Sequence, residues 1–462
     1  GHSPGRGPRR HRLRSLSSSP IVAAIFVPCR RVLFRHLSLS AVTMPAQTLL
    51  EHVLLFIPQF CFGYPFVMAW YWMAGGLIYY VLYERSLPPQ DQPPSVKSWP
   101  PISILVPCHN EGDNAEETIR GADSVDYPDF EIIAINDGSS DNTAEVLDRL
   151  AAEIPRLRVV HLAKNSGKAT ALNTGALLAR HELLVCIDGD ALLDPHALRW
   201  IARAFLVSGV GAIAGNPRIR NRTSLLGRLQ VGEFSSIIGL IRRAQTAYGR
   251  MFTVCGVICA FRKRALQDAG WWSPLTITDD IDVTWRVQLA GWRVNYEPNA
   301  VVWILMPETL RGLWKQRLRW AEGGVEMMVD FFRPMVSART PSLWPTYLNF
   351  VASLLWSYCM LFALAVGILW AMGVQMPAIL PGFHFVPEWW GLTLAITYLA
   401  QALVSHLLER RYERNMLRGL FWIIWYPLAF WLINVFTCVA ALPRVLLRPR
   451  LSTWESPDRG LR

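Results

Sequence analysis

The run Leu183–Asp190, Leu-Leu-Val-Cys-Ile-Asp-Gly-Asp, constrains this chain more than any other stretch. Five apolar residues that stop at two carboxylates form the pattern of a buried central strand, covered on both faces and polar only where it leaves the sheet. Asp188 and Asp190 thereby reach one sheet edge together, where two acids can share a divalent ion. The plainer reading is a turn after a strand, where Asp and Gly are common. An EF-hand loop beginning at Asp188 is excluded, because its twelfth position would be Arg199 where a bidentate Glu is required.

The same grammar repeats upstream. Strand patterns at Ile102–Val106, Glu131–Asn136, Arg158–Leu162 and Leu183–Ile187 alternate with helix patterns near Ala115–Ser124, Thr143–Glu153 and Lys168–Ala179. That alternation predicts an α/β domain with a mostly parallel sheet covered on both faces. Ligands bind such sheets beyond the carboxyl ends of the strands, where this chain places His109-Asn110-Glu111, Asp137-Gly138-Ser139, Lys164-Asn165 and Asp188-Gly189-Asp190. Asn136–Ser139 can equally cap the following helix. Gly167-Lys168 is no phosphate loop, since Leu162 replaces the first glycine and Ala169 the Ser/Thr.

Membrane-length segments lie on both sides. Phe62–Tyr83 is long enough to cross a bilayer and carries aromatic anchors; Leu49–Phe60 either extends it or lies in the interface. Six prolines in Ser86–Pro101 make a stiff linker, after which the domain spans 102–333. Leu348–Met372, Trp389–Leu408 and Leu420–Leu442 are further hydrophobic segments in the region 334–447, followed by a tail, 448–462. Four arginines in Glu409–Arg418 assign that loop to the cytoplasm. A full crossing by Leu420–Leu442 would then leave Arg444, Arg448 and Arg450 outside, so this segment is re-entrant or interfacial, or the number of spans is off by one.

The net charge of +11 does not describe the whole chain, because eight arginines and no acid fall before residue 44, and without them it drops to +3. No nucleic-acid surface is visible in the rest. Residues 1–43 fit a targeting segment, a basic arm, or sequence upstream of a start at Met44; the last reading is adopted, with the N-terminal membrane segment at 44–85. Eight scattered cysteines without a Cys-x-x-Cys pair fit a reduced catalytic domain rather than a disulfide scaffold or zinc site.

Two further clusters carry chemistry. Thr278-Asp279-Asp280-Ile281-Asp282 opens a helix pattern at Ile281–Leu289. Dipole compensation and an i, i+4 pair with Arg286 account for Asp282. Adjacent acids at a pocket mouth also suit proton removal, because like charge raises a carboxylate's basicity. Gln316-Arg317-Leu318-Arg319-Trp320 lies in an amphipathic stretch, Leu310–Met328, which fits a solvated face or an arginine meeting a departing phosphate beside an indole offered to a sugar.

Taken in order, Val106–Glu111, Asn136–Ser139, Asp188-Gly189-Asp190, Thr278-Asp279-Asp280 and Gln316–Trp320 resemble the motifs of processive family 2 glycosyltransferases. Trp303–Leu310, Trp314–Gly324 and the ending Trp454–Gly460 most resemble the bacterial poly-β-1,6-N-acetylglucosamine synthases. One departure is Asp279, where the family has Glu.

The resemblance implies a GT-A, Rossmann-like cytoplasmic domain between transmembrane helices of the bacterial inner membrane. It would polymerise N-acetylglucosamine from UDP-N-acetylglucosamine. It implies Asp280 as general base with Asp279 in support, and Glu111, Asp137, Lys168 and Asp188 at the nucleotide. Asp190, with Asp188, would hold Mg2+ or Mn2+. Gln316, Arg317, Arg319, Trp320, Cys255 and Gly256 fall to diphosphate and acceptor, the growing polysaccharide. A small membrane subunit and cyclic di-GMP dependence through it are also implied. The alternatives are a chitin-, cellulose- or hyaluronan-type synthase, a transferase of single sugars, and, in another class, a non-catalytic membrane scaffold or conduit.

Overall fold

A computed structural model describes residues 46–338, 342–375, 389–413, 420–425 and 430–447. The basic stretch 1–43, the loop arginines Arg414 and Arg418, and the tail 448–462 lie outside the described residues. The chain divides into two compact units, 1–56 with 376–381 and 57–375 with 382–462. Of the first, residues 46–56 are described and are helical. Apart from the first residues of the N-terminal helix, everything below belongs to the second.

Strands β1 (Ile102–Cys108), β2 (Phe130–Asp137), β3 (Leu157–Leu162), β4 (Leu183–Ile187), β5 (Leu192–Leu193), β6 (Val210–Ile219), β7 (Ile258–Arg262) and β8 (Arg293–Ile304) form one sheet in the order β3-β2-β1-β4-β7-β6-β8-β5. β7 runs antiparallel to β4 and β6, and β5 antiparallel to β8; the other six strands share one direction. The carboxyl ends of β1, β2 and β4 therefore open on the same edge. Successive side chains of a strand point to opposite faces. Accordingly Ile102, Ile104 and Val106 of β1 and Leu183, Val185 and Ile187 of β4 join one apolar core, and Leu105, Leu184 and Cys186 join the other. Two covered faces explain why these strands read as unbroken apolar runs.

Helix α1 (Ala46–Tyr79) continues through Leu49–Phe60 as one element and ends in a π turn, Tyr80–Glu84. The helices of the α/β unit are α2 (Ala115–Asp123), α3 (Thr143–Glu153), α4 (Lys168–Leu178), α5 (Ala197–Phe205), α6 (Leu225–Gly232), α7 (Gly239–Ala247), α8 (Lys263–Asp268) and α9 (Asp279–Leu289). α9 starts two residues before the sequence pattern indicates, so Asp279 and Asp280 lie in its first turn, where exposed N–H groups favour acids. α10 (Leu310–Ala338) is followed by α11 (Trp344–Ala371), α12 (Trp389–Glu409), α13 (Leu420–Ile423) and α14 (Leu432–Leu447).

Among the described residues three helices are long and apolar enough to cross a membrane, at Glu51–Glu84, Trp344–Ala371 and Trp389–Glu409. Leu420–Leu442 does not form the single helix expected of a span. It is divided between α13 and α14, and the 16 residues of α14 give a rise of about 24 Å, short of a hydrocarbon core of about 30 Å.

Charge, not only apolar area, joins the helical segments to the sheet. Glu84 after α1, Arg218 on β6, Arg243 on α7 and Glu409 ending α12 are all buried. Arg243 donates to Glu84 through Nε at 2.7 Å and Nη2 at 3.1 Å, and pairs with Glu409, which also meets Arg218. The Tyr412 hydroxyl donates to Glu84 at 2.8 Å. Burial alone would lower the Arg243 pKa, but Glu409 and Glu84 outweigh it and raise it well above the ordinary arginine value. Two carboxylates and two guanidiniums cancel, which makes a dry cluster tolerable.

Glu409→Leu removes the carboxylate that both guanidiniums share. Losing one partner of a buried ion pair costs about 3–5 kcal/mol. We expect the variant to melt well below the parent, or to aggregate, when followed by thermal unfolding in detergent; an unchanged melting temperature would mean that water already reaches the cluster.

Candidate active site

The end of β4 presents Asp188 half-buried and Asp190 buried. Gly189 between them allows a close approach, since a Cβ there would lie 3.0 Å from Glu111 Cγ and 3.3 Å from the Pro107 carbonyl. Glu111, itself buried, thus stands beside the two aspartates. Lys168, the first residue of α4, donates from Nζ to Asp188 Oδ1 at 2.5 Å and to the Gly256 carbonyl at 3.1 Å. Burial would lower its pKa; the charges of Asp188 and Asp279 overcome this and raise it, so Lys168 is a fixed cation. It ties the strand end to the loop before β7.

Asp137 holds the approach to Lys168. Its carboxylate accepts the N–H groups of Ser166 at 2.8 Å and Gly167 at 2.9 Å, and Gly167 has a φ of +89°, a conformation suited to glycine. His109 Nδ1 lies 2.9 Å from the Asp137 carbonyl, which assigns the proton to Nδ1 and leaves Nε2 to accept from Asn165 at 3.0 Å. The residues Asn136–Ser139 therefore organise the loop after β3 as well as their own turn.

On the other side of Gly256 stands Asp280. A Cβ on Gly256 would lie 3.4 Å from Asp280 Oδ2, so the glycine leaves open the space in front of the carboxylate. Thr253 Oγ1 lies 3.2 Å from the same oxygen, and the Ile281 N–H donates to Oδ1 at 3.0 Å. Burial and then the Asp279 charge push the Asp280 pKa up to about 6, against the opposing pull of Lys168. A carboxylate so raised is a better proton acceptor than an ordinary aspartate. Asp282 is turned elsewhere and accepts from Arg286 Nε at 2.8 Å.

The motif Gln316–Trp320 divides along α10. Arg319 is exposed. Arg317 is buried, pairs with Glu233 at 2.5 Å and lies over the Trp320 ring at 4.3 Å from its centroid. Trp320, half-buried, packs against Phe234 and the core that also holds Cys255. Gln316 is half-buried, its Nε2 4.0 Å from Met306 Sδ. Glu111, Lys168, Asp188, Asp190, Gly256, Asp279 and Asp280 thus form one continuous group, Arg317 faces Glu233, and Trp320 borders the core to which Cys255 belongs. Two contributors have no motif of their own: Thr253 and Glu326, the latter accepting the Ile277 N–H at 2.9 Å. The signal for Glu326 is an acid flanked in sequence by the buried apolar residues Val325 and Met327.

The chain resembles known proteins over nearly its whole length. Residues 100–323 match the family model described as glycosyltransferase like family 2. The poly-β-1,6-N-acetyl-D-glucosamine synthase of Staphylococcus epidermidis is 37% identical over 409 residues, covering 87% of this chain and 98% of the relative. That of Staphylococcus aureus is 38% identical over 407 residues, with the same two shares. A mannosyltransferase from Pyrobaculum calidifontis, solved with GDP-mannose and Mn2+, shares the fold at a TM-score of 0.57 and 20% identity, over 86% of this chain and 99% of that one. The GT-A sheet, with its acids at one edge and its apolar flanking helices, and this similarity along the chain lead to one assignment: the protein belongs to the family 2 glycosyltransferases.

Proposed function

We propose that the chain is a processive, inverting glycosyltransferase of the bacterial inner membrane. It polymerises N-acetylglucosamine from UDP-N-acetylglucosamine into a β-1,6-linked exopolysaccharide of the biofilm matrix and helps to export it. The domain 102–333 works on the cytoplasmic side, with 44–85 and 334–447 in the membrane. The observation that carries the reading is the chain of contacts Asp188–Lys168–Gly256–Asp280, which joins a nucleotide-side carboxylate to a raised base across one glycine. The names of the 37–38% identical relatives support the donor sugar and the linkage.

In this reading Glu111, Asp137, Lys168 and Asp188 hold the nucleotide side, Asp137 through the loop it ties down. Among the described residues no three Asp, Glu, His or Cys side chains gather as a metal-binding group. Asp190 and Asp188 would hold a hard cation such as Mg2+ or Mn2+, whose preference for oxygen ligands their carboxylates match. Such an ion would neutralise charge on the departing diphosphate. Arg319 adds a cation there, and Arg317 acts by fixing Trp320, the platform for the acceptor beside Gln316, Cys255 and Gly256. Asp280 takes the acceptor hydroxyl's proton, Asp279 keeps its affinity for that proton high, and the oxygen displaces UDP in one step. One displacement inverts an α-linked donor to a β-linked product with no covalent sugar–enzyme intermediate. A small membrane subunit that confers cyclic di-GMP dependence belongs to the same proposal.

Membranes carrying the protein are expected to incorporate sugar from UDP-N-acetylglucosamine and not from UDP-glucose or UDP-glucuronate. Asp280→Asn should bind the donor within about twofold of the parent and lose about 10²–10⁴-fold in incorporation; retained synthesis would sink the assignment of the base. Because the base works deprotonated, activity should rise with pH through about 6. Asp279→Asn removes a like charge, so the acid limb of the pH profile should move to lower pH; an unmoved limb would show that Asp279 does not tune Asp280.

A further inference from the structure

The turn that carries the base is held by the helix that carries the acceptor platform. Glu326 on α10 is almost fully buried, and its Oε2 accepts the Ile277 N–H, three residues before Asp280. One turn earlier on the same helix, Gly323 lets the backbone touch Thr278; a Cβ there would fall 2.0 Å from Thr278 Oγ1 and 2.7 Å from its Cβ. Beyond these, Ile281 and Trp285 of α9 pack with Met327 and Phe331 of α10. Thr278 makes no side-chain cap hydrogen bond at the start of α9, so these contacts with α10 add to the hold that Thr253 has on Asp280 from the other side. Trp320 lies six residues before Glu326, a rise of about 9 Å along one rigid element.

We propose that Glu326 is a positioning residue for the transfer step: by fixing Ile277 it seats Thr278–Asp280 against α10 and sets the base at a constant distance from an acceptor resting on Trp320. The role lies in the hydrogen bond accepted from Ile277, which a glutamine can also accept. It rests on the polymerase reading above, in that the group positioned is the base of that reaction. A misplacement of about 1 Å at a reacting group can cost about 10²-fold in rate, while binding of a donor held elsewhere is untouched.

The test uses the full chain in membranes or nanodiscs, with UDP-N-acetylglucosamine as donor. Glu326→Ala should lower kcat at least tenfold with the donor KM within twofold, and Glu326→Gln should recover kcat to within about threefold of the parent. Gly323→Ala, which pushes on Thr278 from the same helix, should reproduce the kcat loss. An unchanged kcat in Glu326→Ala, a Glu326→Gln as slow as the alanine variant, or a loss confined to KM would each overturn the proposal. Hydrogen–deuterium exchange provides an arm that needs no turnover. In Glu326→Ala the segment 276–282 should exchange at least tenfold faster, with β1 and β4 as protected as in the parent, and in Glu326→Gln it should not. Unaltered exchange in the alanine variant overturns the positioning role, even if the parent polymerises nothing from any UDP-sugar, a result that would count against the polymerase reading alone.

Discussion

A buried carboxylate is stable only where its counter-charge is buried with it, and this protein uses that requirement to join its parts. Glu84 and Glu409 close two apolar helices, while Arg218 and Arg243 belong to the sheet and to the helix beside it. Neither acid can leave without stranding an arginine in a dry site. Apolar packing between helices tolerates sliding, whereas ion pairs of fixed geometry do not. The edge of the sheet that bears Asp188 and Asp190 is thereby held in register with segments able to enter a membrane.

Within the sheet the same logic works at short range. Lys168 is a single ammonium between a carboxylate and a carbonyl, and it links β4 to the loop in front of Asp280. The acids around it differ in their partners. Asp188 is neutralised by Lys168, Asp137 is spent on backbone N–H groups, Asp282 on Arg286, and Asp280 is left with a raised proton affinity. Four aspartates of one residue type acquire four states from their surroundings.

The fold was largely legible in the amino-acid order because its rules are local. Thr143–Glu153 and Leu183–Ile187 have the bounds that their patterns indicate, and both are set by apolar spacing within a single element. The acids at strand ends and the Asp282–Arg286 pair were legible for the same reason. What escaped depends on partners far along the chain. Glu326 meets Ile277 across 49 residues and Arg317 meets Glu233 across 84, and an amphipathic pattern on α10 cannot say which arginine turns inward. Leu420–Leu442 has the hydropathy of a span, but hydropathy does not report where a helix breaks.

The pairing of Arg317 with Glu233 has a consequence for Trp320. A guanidinium 4.3 Å from the ring centroid occupies one π-face of the indole, and Glu233 prevents it from swinging away. Any sugar that stacks on Trp320 must use the opposite face. Arg317 thus fixes the plane of the indole and also which of its two faces is left open.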